Sequence, residues 1–286
     1  MNARRIAAYY SALTANYTAY GGKARGWHWG LWEADVKTSQ QALIRENEVL
    51  VRGLDISSRT RVLDVGCGVG GFAVWAAKKF GCRVTGITIC ADHVPLARAY
   101  ARKSGVGRLC EFARMDMDRL RFPDARFDVV VNQESFCYSV DKRRYLSTVF
   151  DVLAPGGVWR CIDTCVSERR SSADFRRLRN AVYQGFQIPS CPSVRQLERK
   201  VRSAGFVELD TEDVTKNVLR NRDVIEAAGG LPFALAAVFP EWCFSGAPAE
   251  IKFLSGHYRA GAAFLIGLGL GYFKHVIHHA RRPPAR

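Results

Sequence analysis

No stretch of the 286 residues reaches the roughly 20 consecutive apolar positions of a membrane-spanning helix. The longest candidate, Ala260 to Phe273, is interrupted by Gly261, Gly267, Gly269 and Gly271. Met1 to Tyr20 lacks the apolar run of a signal peptide, so the chain is expected in the cytoplasm. None of the nine cysteines pairs in CxxC spacing, which argues against a zinc cluster. Cys67, Cys82, Cys90, Cys110, Cys137, Cys161 and Cys165 stand inside strand-like or helix-like segments and read as reduced, mostly buried thiols rather than a disulfide frame. There are no internal repeats and no low-complexity segment. Acidic residues are the minority, 27 against 42 Lys and Arg, for a net charge of +15. The basic clusters Arg119–Arg126, Arg169–Arg179 and Arg195–Arg202 lack the interleaved aromatic rings of a single-strand binder, so nucleic acid is discounted. An anionic membrane surface, an acidic small substrate and a merely solvated basic surface remain open.

What is present describes a globular chain with a real core, 48% apolar and 24% charged. Residues 1–58 read as a helical, aromatic cap, with one helix face running through Ala42, Leu43, Val49, Leu50 and Leu54. From Arg61 strands and helices alternate. Strands are expected at Arg61–Val65, Arg83–Thr88, Cys110–Met115, Phe127–Asn132 and Val158–Asp163. Helices are expected at Gly70–Phe80, Ala91–Ser104 and Lys142–Val152, the last closed by a turn at Pro155-Gly156-Gly157. That alternation predicts an α/β fold around a doubly wound parallel sheet. A polar helical insertion covers about 167–200; a helix at Val194–Ser203 and a strand from Val207 then complete a core of 59–215. The remainder, 216–286, reads as a helical tail serving a substrate pocket or an oligomer contact.

Asp64-Val65-Gly66-Cys67-Gly68-Val69-Gly70 joins the first strand to the first helix of the alternation. Glycines let the backbone turn off the strand end and let a ligand approach the N–H groups of the helix start. With its Asp ahead of the first Gly, the turn closely resembles the first motif of class I S-adenosylmethionine methyltransferases. The resemblance implies a Rossmann-like methyltransferase fold with a seven-stranded, mostly parallel sheet and S-adenosylmethionine as cofactor. It implies that Asp64, Gly66, Gly68 and Gly70 order the turn near the cofactor's amino-acid end. Asp116 and Met117 fall where the family holds adenine, and Asn132 and Gln133 where it faces the cofactor. Gly86-Ile87-Thr88-Ile89 replaces the acidic ribose ligand of many members, leaving Thr88 and Ile89 for that contact, and resembles the branch of sterol and tocopherol C-methyltransferases.

The N-terminal segment strengthens that likeness. Tyr9-Tyr10, Tyr17, Tyr20-Gly21-Gly22 and Trp27-His28-Trp29-Gly30 are similar to the aromatic entry of sterol C-methyltransferases. Tyr9 is placed with the cofactor and Tyr20 against the reacting centre. Aromatic faces attract a sulfonium or a carbocation by up to ~2 kcal/mol each when desolvated. Glu134, in Asn132-Gln133-Glu134-Ser135, resembles the Glu proposed as base in prenyl diphosphate C-methyltransferases; His28 is the alternative base. The expected reaction is carbon methylation of an isoprenoid double bond, on a prenyl diphosphate, a sterol-like compound or a prenylated natural product, through a cation that is deprotonated, rearranges or cyclises. O- or N-methylation of a small natural product is the alternative, and a non-catalytic cofactor-binding scaffold or an RNA-associated enzyme the third reading. The expected partner is a small apolar or prenylated substrate, a homo-oligomer is expected, and peripheral membrane contact is left open. His275, His278 and His279 read as one face of a solvated helical tail without an acidic partner, so no metal site is expected.

Overall fold

The computed structural model describes residues 3–15, 21–168, 172–221 and 246–285. Apolar runs build a seven-stranded sheet in the order β3-β2-β1-β4-β5-β7-β6. Its strands are β1 (Arg61–Val65), β2 (Arg83–Thr88), β3 (Cys110–Arg114), β4 (Phe127–Gln133), β5 (Leu153–Val166), β6 (Val207–Asp213) and β7 (Phe273–Arg281). β1 to β5 are mutually parallel, and β7 runs antiparallel between β5 and β6. β4 is buried along nearly its whole length, as a strand covered on both faces should be.

The helices are α1 (Ala3–Ala12), α2 (Ser39–Leu50), α3 (Gly71–Phe80), α4 (His93–Lys103), α5 (Lys142–Val152), α6 (Ala173–Gly185), α7 (Val194–Ser203), α8 (Thr215–Leu219) and α9 (Ala249–Gly269). Thr38 and Gln41 close α2 with a capping box, and Ser193 and Gln196 do the same for α7. α6 and α9 pack so tightly that a Cβ on Gly185 would lie 2.1 Å from the Gly256 carbonyl oxygen. No helix among the described residues is long and apolar enough to cross a membrane. The eight described cysteines are free and buried.

Two expectations are corrected. The 273–281 segment is not a solvated helical tail but β7, matched residue for residue with β5 from Phe273–Val166 to Arg281–Val158. His275 and His278 are fully buried. His278 stacks on Trp159, and its Nδ1 lies 2.9 Å from the Thr211 hydroxyl. Pro155-Gly156-Gly157 does not close a helix: it lies inside β5, where the register with β4 shifts between Phe127 and Val129.

The chain winds outward from β1 through β2 to β3, then returns to β4 beside β1. The strand order therefore reverses between β1 and β4, and open α/β sheets bind ligands beyond the strand ends at such a point. Val65-Gly66 leaves β1 there and Gln133-Glu134 leaves β4.

Candidate active site

Two cavities open at that edge. The larger, about 600 Å³, is walled by the glycine turn. Gly66, Gly68 and Gly70 hold φ of +87°, +51° and +88°, a region that favours glycine. A Cβ on Gly66 would fall 2.4 Å from that of Ser135. Asp64, Gly66 and Gly68 line one end of this cavity; Thr88, Ile89 and Asp116 lie along it, joined by Met117 and Gln133. Gly70 caps α3 behind the wall. The Asp64 carboxyl is buried, its Oδ2 meets no hydrogen-bond donor, and burial, only partly offset by the Ala73 backbone, pushes it up to about 7.

Asn132 does not face the cavity. Its amide oxygen accepts from Tyr145 Oη at 2.6 Å and Trp159 Nε1 at 2.9 Å, while Nδ2 donates to Ser135 Oγ at 2.9 Å. A fully buried side chain so saturated serves the core. Tyr9 lines the smaller cavity rather than the larger; its neighbour Tyr10 lines both. Tyr20 lies outside the described residues.

The smaller cavity, about 310 Å³, sits between the N-terminal cap, α6 and α9. Aromatic rings dominate its wall: Trp27 packs on His257 at 5.2 Å between ring centres, and Trp29 stacks on Phe264 at 5.2 Å. Six residues belong to both cavities: Tyr10, Gly26, Trp27, His28, Glu134 and Tyr138.

Glu134 holds a φ of +46°, uncommon for a residue with a Cβ and enriched at functional sites. Its backbone N–H donates to Ile162 O at 2.8 Å, fixing the exit from β4. Its Oε1 accepts from the Trp29 N–H at 2.9 Å and lies 3.4 Å from His275 Nε2. Beside it, His28 Nδ1 is 3.0 Å from Glu46 Oε2, which also accepts the Gly30 N–H at 2.9 Å. Ligand-type atoms of His28, Glu46 and Glu134 fall within 4.8 Å of one another. Two carboxylates and two imidazoles thus share a cluster at the cavity wall, where protonated imidazoles offset the cost of taking the carboxylates out of water.

The cluster tunes its members apart. Burial pulls His28 down, but Glu46 outweighs it and holds the imidazole above its ordinary value. Burial pushes Glu46 up, but His28 wins and the carboxyl sits low. Burial and the Glu46 charge hold Glu134 above the usual carboxylate range against the pull of His275. His275 is itself raised: Glu134 outweighs its burial. A carboxyl poised upward in a cleft, next to a charged partner, marks a candidate proton acceptor.

Residues 62–157 match the methyltransferase domain family. An O-methyltransferase of Penicillium expansum is 32% identical over 206 residues, 71% of this chain and 72% of that protein. The chain is a class I S-adenosylmethionine-dependent methyltransferase. The sterol 24-C-methyltransferase of Eremothecium gossypii is 30% identical over 211 residues, 73% of this chain. The match spans 56% of that relative's length. The solved geranyl diphosphate methyltransferase in complex with GPP and sinefungin superposes with a TM-score of 0.76 at 19% identity, covering 98% of this chain and 99% of that one. The methyltransferase takes S-adenosylmethionine as cofactor. The larger cavity suits it: a glycine cradle stands at one end, and an unpartnered carboxyl oxygen is ready for a cationic group.

Proposed function

We propose that this methyltransferase adds a methyl group to carbon at an isoprenoid double bond, with Glu134 as the base. The observation that carries the reading is the place of Glu134: a raised carboxyl where the cofactor cavity meets an aromatic-walled second cavity. When bound, S-adenosylmethionine supplies an electrophilic methyl on a sulfonium. Asp64, Gly66 and Gly68 would hold its amino-acid end, Thr88 and Ile89 the ribose, and Asp116 and Met117 the adenine.

Attack by the alkene leaves positive charge on the adjoining acceptor carbon. Trp27, Tyr10 and Tyr138, which line both cavities, offer ring faces to that charge, each worth up to ~2 kcal/mol once water is excluded. Glu134 takes a proton from the carbon beside the cation, and the freed electron pair closes a new double bond. Where proton loss is slow, the same rings accompany a hydride shift or ring closure. The sterol and geranyl diphosphate relatives, by their names, support this reading. O-methylation is the second reading, favoured by the Penicillium relative and by the His28–Glu46 pair, which could serve a hydroxyl.

Methyl-labelled cofactor and a panel of sterols, prenyl alcohols and prenylated indoles separate the two. Label is expected on carbon; label on oxygen or nitrogen alone rejects the proposal.

Asp64 gives a second expectation. Below about pH 7 its carboxyl is protonated, and a cationic ligand group favours the ionised form. Cofactor affinity therefore rises with pH, by up to about tenfold per unit below the pKa, and binding releases a proton. Calorimetric titration in buffers of different ionisation heat reads both. Asp64→Asn flattens the dependence; a wild-type affinity indifferent to pH between 5 and 8 contradicts the assignment.

A further inference from the structure

The charge inventory of the smaller cavity narrows the acceptor. Among the described residues, neither lysine nor arginine lines it. Its carboxylates are Glu134 and Asp163. Asp163 is buried, its oxygens accepting from the Cys137 N–H at 2.9 Å and the Thr164 N–H at 2.7 Å. Its imidazoles are His28, committed to Glu46, and His257. Burial holds His257 down at about 4, so it is neutral at working pH. Lys142, buried nearby in sequence to Cys137, places its ammonium on the carbonyls of Cys137, Ser139 and Ser190. Outside the described residues, the sequence holds only Arg169, Arg170, Arg222 and Arg286 as basic side chains, and 223–245 holds none. Arg4, Arg25, Arg119 and Arg144 line the cofactor cavity instead.

A diphosphate placed in the smaller cavity would sit beside two carboxylates with no lysine or arginine among the described lining residues, and an unpaired buried charge is among the costliest groups to bury. The wall offers a different kind of polar partner. Tyr9 Oη and His257 Nδ1 share a hydrogen bond of 2.6 Å, and both line the cavity. A neutral phenol–imidazole pair can exchange donor and acceptor roles, which suits a hydroxyl.

We propose that the acceptor is an uncharged isoprenoid carrying a hydroxyl, which the Tyr9–His257 pair hydrogen-bonds, and that prenyl diphosphates are rejected. This rests on the carbon-methylation reading for its chemistry, but the selection itself is a matter of binding and is measured apart from turnover.

The test compares a prenyl alcohol, its own diphosphate with magnesium, and the corresponding hydrocarbon, each titrated into the protein held with demethylated cofactor. The alcohol is expected to bind on the order of 100-fold more tightly than the diphosphate. Tyr9→Phe is expected to weaken the alcohol about fivefold while leaving the hydrocarbon unchanged. Equal or tighter binding of the diphosphate overturns the proposal, as does a Tyr9→Phe variant that weakens alcohol and hydrocarbon alike. Turnover with labelled cofactor is read on the same three compounds. Tight alcohol binding with label on oxygen rejects carbon methylation and upholds the selection; carbon methylation of the diphosphate with an idle alcohol does the reverse.

Discussion

Glu134→Gln lowers kcat by about 10²- to 10⁴-fold and leaves S-adenosylmethionine affinity within about threefold of wild type. The substitution keeps the shape of the side chain. A glutamine carbonyl still accepts the Trp29 N–H, so the turn at φ +46° and the cavity wall stay in place. What disappears is the ability to take a proton. The wild-type rate should also titrate: burial and the nearby Glu46 charge raise the Glu134 carboxyl, so kcat rises with pH along an acid limb above the ordinary glutamate value of about 4.3. The variant loses that limb. Steady-state rates from pH 5 to 8, with cofactor affinity measured separately, check both statements. Wild-type turnover in Glu134→Gln removes this residue from the mechanism and leaves His28 as the base.

Asn132→Leu destabilises the fold by about 3–5 kcal/mol, with cofactor affinity per folded molecule little changed. One amide oxygen satisfies both Tyr145 Oη and Trp159 Nε1, and both rings are fully buried. Leucine matches the volume but leaves two donors without an acceptor, each costing about 1–3 kcal/mol. Ser135 Oγ loses the Asn132 donor as well, though it keeps the Val65 carbonyl. Urea unfolding reads the cost as a shifted midpoint at unchanged slope. A loss below about 1 kcal/mol would contradict the account, because an unsatisfied buried donor costs more than that.

The parts of the fold visible in the sequence are those whose signal is local. The apolar runs of β1, β2 and β4 and the glycines between β1 and α3 declare themselves within a few residues, and Glu134 follows β4 directly. β7 does not. Its Phe-Lys-His-Val-Ile-His-His segment is buried on both faces, so it lacks the alternation of a half-exposed strand, and its histidines read as polar. Its place depends on β5, more than a hundred residues earlier in the chain. Nothing local in the sequence therefore marks His275 as the partner of Glu134.

Glu46 carried a signal that periodicity alone passes over. It sits among Leu43, Val49 and Leu50 on the buried face of α2, where a lone carboxylate would be expensive. A charge on an apolar helix face implies a buried partner, and His28 supplies it. Tyr9 and Tyr10 differ for a geometric reason: successive helix residues point about 100° apart, so one faces the smaller cavity while the other reaches both. Resemblance marks the motif, but it does not say which of two adjacent tyrosines lines which cavity.

The central claim is that the methyl group goes to carbon and that Glu134 then takes a proton from the neighbouring carbon. An isoprenoid acceptor fully deuterated at both carbons of its double bond and at the carbons flanking them, turned over with unlabelled cofactor, tests it in one mass measurement. The account predicts a product heavier by one methyl group in place of one deuterium, with the new methyl on carbon. A product that keeps every deuterium and carries the methyl on oxygen would contradict it.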